Sequence, residues 1–175
     1  MGVGIIITIF IVLVIVKYNK IKTLHNKVKQ SRSSIDVYLT QRFDLIPNLV
    51  ECVKGYAKHE KELFVQITEL RAAYNQSKDL KKGAELNNKF NDILLLEENY
   101  PDLKANENFL NLQKNLSKME SQLQAARRLY NSDVTIYNTD IETFPGNLFS
   151  TIFNFKKEEL FEIEEMKKVN IKVDL

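Results

Sequence analysis

The chain has 175 residues, 5 glycines, 3 prolines, 1 cysteine and a formal net charge of +2. That length supports one domain with a real core, and the scarcity of Gly and Pro disfavours a turn-rich β fold. A lone cysteine excludes an internal disulfide framework, and the small net charge gives no basis for nucleic-acid binding.

The first element is "MGVGIIITIFIVLVIV" (1–16), which holds no charged side chain. As a helix it spans about 24 Å, a little short of a ~30 Å hydrocarbon core. Lys17 and Lys20 can snorkel and Tyr18 suits the interface, so residues 1–19 read as a single-pass transmembrane anchor. A cleaved signal peptide fits less well, because a basic leader and a small-x-small cleavage site are both missing. Residues 17–32 carry Lys17, Lys20, Lys22, Lys27, Lys29 and Arg32 and no acid. The positive-inside rule then places the rest of the chain in the cytoplasm. The basic segment 20–34 reads as a juxtamembrane stalk. Nothing aromatic or motif-like accompanies it, so no nucleic-acid partner is assigned.

From Ile35 the apolar residues follow a helical period through Leu39, Phe43, Ile46, Val50, Val53, Phe64, Ile67 and Leu70. Because the phase does not reset at Pro47, the spacing predicts one helix from Ile21 to Gln76, kinked at Pro47. Asn48 is then expected beside the freed carbonyls. "NQSKDLKKGAEL" (75–86) reads as a turn around Gly83, and a second helix is expected over 84–98. Pro101 closes it, and Asp102 or Asn106 caps the next helix. That third helix is expected from Phe109 to Phe144, ended by "FPGN". "NLFSTIFNF" (147–155) is either a short packed helix or an interfacial segment. Residues 157–175 form a charged tail whose end, "VNIKVDL", alternates like a strand.

Catalytic candidates are thin. Cys52 and His59 share a helix face, but two turns put them about 10.5 Å apart, too far for a nucleophile and its base. A di-metal carboxylate site needs Glu-x-x-His, and the residues three before His25 and His59 are Lys22 and Tyr56. Gly-rich phosphate loops and Gly-x-Ser-x-Gly are missing too. No catalytic residue, cofactor, metal or small-molecule substrate is therefore assigned. The residues singled out for interaction or structure are Arg42 and Asp44 beside Phe43, Pro47 and Asn48, and Arg127 and Arg128 on the third helix. Asn131 and Asn138, with Asn108, occupy helical positions where Asn has poor propensity, which points to hydrogen bonds between helices.

Four stretches, "SSIDVYLTQRFDLIPNLVECVKGYAKHE" (33–60), "NYPDLKANENFLNLQKNL" (99–116), "ARRLYNSDVTIYNTDIETFPGNLFSTIFNFK" (126–156) and the terminal "KVDL", together resemble the LemA family. The resemblance implies a bacterial membrane protein with one N-terminal span and an all-α, antiparallel, four-helix-type bundle of unequal helices over 35–156. It implies no catalytic or cofactor-binding residue. The favoured function is a membrane-anchored, non-enzymatic scaffold or interaction module with a protein partner. The alternative is a lipid-binding or membrane-remodelling module, using the basic segment and "NLFSTIF".

Overall fold

A computed structural model describes residues 1–56 and 61–161, and all regular structure among them is helical. They gather into two compact units, residues 1–34 with 126–161 and residues 35–125.

The first unit is built on the start of α1 (Gly2–Phe43) and the end of α6 (Glu107–Glu142). Residues 5–13 of α1 are exposed throughout, and α1 is long and apolar enough to cross a membrane. Beyond them Ile21, Val28 and Ser31 are buried, so one face of the basic segment packs within this unit while Lys22, Lys27, Lys29 and Arg32 are exposed. Here α1 and α6 run antiparallel: Lys17 meets Asp140, and His25 stacks on Tyr137 at 5.1 Å. Tyr130, Val134, Tyr137 and Ile141 supply the buried stripe of α6, at the i, i+4, i+7 spacing of one helix face.

α6 ends at Glu142, where the cis Phe144–Pro145 bond and Gly146 turn the chain into α7 (Gly146–Phe153). Gly146 is required there. A Cβ on it would lie 1.7 Å from the Asp140 carbonyl oxygen. α7 stops at Asn154, whose φ of 54° is left-handed, a region Asn tolerates better than most residues. The N–H groups of Asn154 and Phe155 both donate to the Ser150 carbonyl, and the chain leaves in extended form over 155–161.

The second unit holds the end of α1, then α2 (Ile46–Lys54), α3 (Lys61–Ser77), α4 (Leu80–Leu95), a 3-10 turn (Leu96–Glu98), α5 (Pro101–Lys104) and the start of α6. Its core includes Leu39, Phe43, Leu49, Ile67, Tyr74, Phe90, Phe109 and Leu116. The expected single helix from Ile21 to Gln76 is replaced by three. Asp44 and Leu45 form a turn, with the Leu45 N–H bonded to the Arg42 carbonyl at 3.2 Å, and Pro47 is the second residue of α2. The ring of Pro47 removes the N–H that would close the Phe43 carbonyl, so the ladder tightens for one turn and restarts. Leu45 keeps right-handed helical dihedrals, which is why Phe43, Ile46 and Val53 stay in phase and buried. α2 ends before Gly55 and Tyr56, and Ala57, His59 and Glu60 lie outside the described residues.

The expected turn at Gly83 is also displaced. Lys78, with φ of 48°, makes the turn, and Asp79 caps α4 by accepting from the Lys81 N–H at 2.8 Å. Gly83 lies inside α4, where a Cβ would stand 2.9 Å from Leu39 Cδ1 and 3.0 Å from the Tyr74 ring. Its role is close approach, not flexibility. Asn106 caps α6 by accepting from the Phe109 N–H, and it donates to the Tyr56 hydroxyl at 3.0 Å. The end of the charged tail, from residue 162 on, lies outside the described residues.

Candidate functional site: a side-chain clamp on α6

The most specific arrangement in the molecule holds the extended segment against α6. Asn131 Nδ2 donates to the Phe161 carbonyl at 3.1 Å, and the Phe161 N–H donates back to Asn131 Oδ1 at 2.7 Å. Asn138 repeats the pattern with Glu158, at 2.9 Å and 3.0 Å. Each carboxamide thus pairs with both backbone groups of one residue. The hydroxyls of Tyr130 and Tyr137 donate to the carbonyls of Glu159 and Lys156 at 2.8 Å and 2.9 Å.

The register follows from two elementary rises. Seven helical residues advance about 10.5 Å, and three extended residues advance about 10 Å. Two Tyr-Asn pairs seven apart therefore meet every third residue of an antiparallel extended chain. Contacts to backbone leave the segment's side chains available for other work. The Phe161 ring lies 4.9 Å from the Arg127 guanidinium, and Glu158 Oε1 is 3.0 Å from His25 Nε2.

Burial pushes the hydroxyl pKa of both tyrosines up, and the neighbouring Glu158 charge adds to it. Both stay protonated donors at neutral pH. At the end of α6, Asp140 accepts from Lys17 at 2.9 Å and from Lys20 at 2.7 Å. Burial alone would raise its carboxyl pKa, but the hydrogen bonds and charges of Lys20 and Lys17 outweigh it and hold the group below the usual carboxylate range.

The residues singled out from sequence fall in several places. Arg42 is buried in the second unit, where it donates to Asn87, to Glu120 and, at 2.6 Å, to Asn91, with Phe90 beneath it at 5.0 Å. Asp44 is exposed and pairs with Arg71 at 3.2 Å. Pro47 lines an open depression of about 450 Å³ together with Val50, Lys54 and Arg71. Asn48 faces solvent rather than turning back toward the freed carbonyls. Arg127 is buried and Arg128 is exposed. Asn131 and Asn138 bond to extended backbone, not to a second helix, and Asn108 is exposed at the start of α6. Cys52 is half-buried, 3.8 Å from Asn106 Oδ1, and burial raises its thiol pKa. Among the described residues no three His, Cys, Asp or Glu side chains gather to hold a metal ion.

Sequence reasoning missed Tyr130, Tyr137 and Asp140 as members of this site. The signal was there in "YNSDVTIYNTD" (130–140), where Tyr-Asn-x-Asp recurs after seven residues.

A protein whose described regular structure is all helical, with an N-terminal apolar helix and an asparagine clamp on its longest internal helix, is thus defined. The chain belongs to the LemA family, whose model matches residues 31–175. It is 25% identical over 170 residues to "Protein LemA" of Metamycoplasma hominis, covering 94% of this chain and 78% of that one. It is 23% identical over 183 residues to "Magnetosome protein MamQ 2" of Paramagnetospirillum magneticum, covering 87% and 67%. "Magnetosome protein MamQ" of Magnetospirillum gryphiswaldense is 20% identical over 185 residues, with the same coverage.

Proposed function

We propose that the protein is a membrane-anchored, non-catalytic scaffold of a bacterial membrane. One N-terminal span holds an antiparallel, four-helix-type bundle in the cytoplasm, and an exposed face of that bundle binds a protein partner. The observation that carries this reading is the continuity of α1. The exposed apolar stretch and the packed face bearing Ile21 and Val28 are one helix, without a linker. An anchor built this way fixes the height and orientation of its cargo, as a scaffold needs. The names of the MamQ relatives refer to a structure of the cell and not to a reaction, which fits the same reading.

Two exposed positions are the sites to probe, Arg128 in the first unit and the α5 residue Lys104 in the second. A photo-crosslinking residue placed at each, in the full chain in native membranes and followed by mass spectrometry, tests it. One protein should recur at a given site. If neither site captures a protein above the unirradiated control, the scaffold reading fails. Orientation is checked separately. Cysteine at Lys104, in a Cys52→Ala background, should react with an impermeant maleimide only after the cells are opened.

A further inference from the structure

We infer that α7 and the turn before it form a second membrane contact, lying in the lipid interface beside the base of the span. The inference rests on the anchoring proposed above and adds a surface to it. Four observations carry it, all within the first unit.

The first is depth. Asp140, in the last turns of α6, is bonded to Lys17 and Lys20, which directly follow the apolar run 1–16. α6 therefore ends level with the point where the span begins. The turn after Glu142 and the start of α7 come next along that direction.

The second is contact. The Tyr18 ring packs against Phe153 at 4.9 Å and Phe155 at 5.8 Å, and Phe149 stacks on Phe153 at 6.1 Å. Tyr18 is the first aromatic residue after the apolar run, the place of an interfacial belt residue. α7 is thus tied to the belt position itself.

The third is the face left over. Phe144, Leu148 and Ile152 recur every four residues and are 80%, 53% and 74% exposed. Leu148 and Ile152, one turn apart, lie along one side of α7, and Phe144 is exposed in the turn just before it, with no described element packed over them. Large apolar side chains grouped in this way mark an interaction surface.

The fourth is charge. Lys22 lies 5.7 Å from the Tyr18 ring and 5.2 Å from the Phe155 ring, so a cation sits on the aromatic cluster that holds the end of α7. A helix in the headgroup boundary of an anionic bilayer presents this combination, apolar residues flanked by lysine and aromatic rings. The occupant of this face is therefore the acyl-chain boundary of the same bilayer the span crosses.

The chain has no tryptophan, so one introduced indole reports from one place. Full-length Ile152→Trp is reconstituted in phosphatidylcholine and phosphatidylglycerol vesicles whose acyl chains are brominated near the headgroup. Ile7→Trp, inside the span, reports anchoring. Leu129→Trp, exposed on α6 and about 16 Å back from Asp140 along the helix, reports water. We expect Ile152→Trp emission to shift blue and fall roughly twofold against unbrominated lipid, with Leu129→Trp unchanged. Leu148→Trp gives a second reading from the neighbouring turn, should the first variant fold poorly. If Ile7→Trp is quenched while both α7 reporters stay solvent-like, the second contact is overturned and the anchor stands. A blue shift without quenching means that a second copy covers α7, which also overturns it. If Ile7→Trp is not quenched, anchoring falls and this inference falls with it.

Discussion

Asn138 pairs with Glu158 as one β-strand residue pairs with its neighbour, donating to the carbonyl and accepting from the N–H of the same residue. Asn131 does this for Phe161, two helical turns away. Helix α6 thereby presents a short ladder edge made of side chains. Extended chain that would otherwise leave its polar groups to water is fixed by six hydrogen bonds, counting those of Tyr130 and Tyr137.

Replacing either asparagine should cost stability without touching the apolar core. Asn131→Ala removes two hydrogen bonds and leaves the Phe161 backbone groups unsatisfied, a loss of about 1–3 kcal/mol. Asn138→Ala should cost about the same, while exposed Asn48→Ala should fall within about 0.5 kcal/mol of zero. Denaturant titration of the detergent-solubilised protein measures all three. Limited proteolysis should also cut within 156–161 faster in the two clamp variants. Equal losses for Asn48→Ala and Asn138→Ala would sink the clamp as a stabilising device.

Asp140 gives the first unit an acid-sensitive contribution. Its folded-state pKa lies below the ordinary 3.8 because Lys20 and Lys17 hold the carboxylate. The contribution is complete above 3.8 and is lost as pH falls through the lower, folded value. Since Lys20 is mostly exposed, its worth is on the order of 1 kcal/mol. Asp140→Asn should therefore be less stable than the parent at neutral pH, and the two should converge in strong acid. Denaturant midpoints measured from about pH 7 down to about pH 2 check this. A constant difference across that range would show that the charge is not responsible.

Sequence pattern made the helices legible wherever burial sets the residue type. Phe43, Ile46 and Val53 announce one face, and Phe109, Leu116, Leu123 and Tyr130 announce another, all buried as expected. The break at Asp44 and Leu45 was illegible for the same reason. A single tightened turn in right-handed dihedrals does not shift the apolar phase, so periodicity passes over it. Gly83 misleads because a glycine needed for close packing looks, in sequence, like one needed for a turn. The clamp was half visible. Two asparagines inside a helix demanded partners, but those partners are backbone groups at 158 and 161, which leave no trace in residue type.

Two glycines should respond in opposite directions to the same substitution. Gly146→Ala places a Cβ 1.7 Å from the Asp140 carbonyl oxygen, and only a backbone shift relieves that. A loss of about 1–3 kcal/mol or more is expected, with α7 displaced from the end of α6. Gly55 has φ of −65° and, among the described residues, nothing within 4 Å of a new Cβ. There alanine costs no strain and reduces the freedom of the unfolded chain, so Gly55→Ala should stabilise by about 0.4–1 kcal/mol. Thermal unfolding of the two variants beside the parent is the measurement. A stabilised Gly146→Ala would disprove the close approach at the α6 terminus.

Arg42 holds the second unit together through planarity as much as through charge. Its guanidinium serves Asn87 and Asn91 on α4 and Glu120 on α6 while lying over Phe90. Arg42→Ala takes a donor from buried Asn87 and from the part-buried Asn91 and Glu120, and should cost about 3 kcal/mol. Arg42→Lys keeps the charge but presents a point donor where a fork is needed, so most of the loss should remain. Because Arg42 and Glu120 share one interaction, Arg42→Ala with Glu120→Gln should lose less than the sum of the single losses, by at least about 0.5 kcal/mol. A double-variant cycle read from denaturant midpoints tests the coupling. Strict additivity would mean that Arg42 acts through Asn87, Asn91 and its packing on Phe90, with Glu120 a bystander.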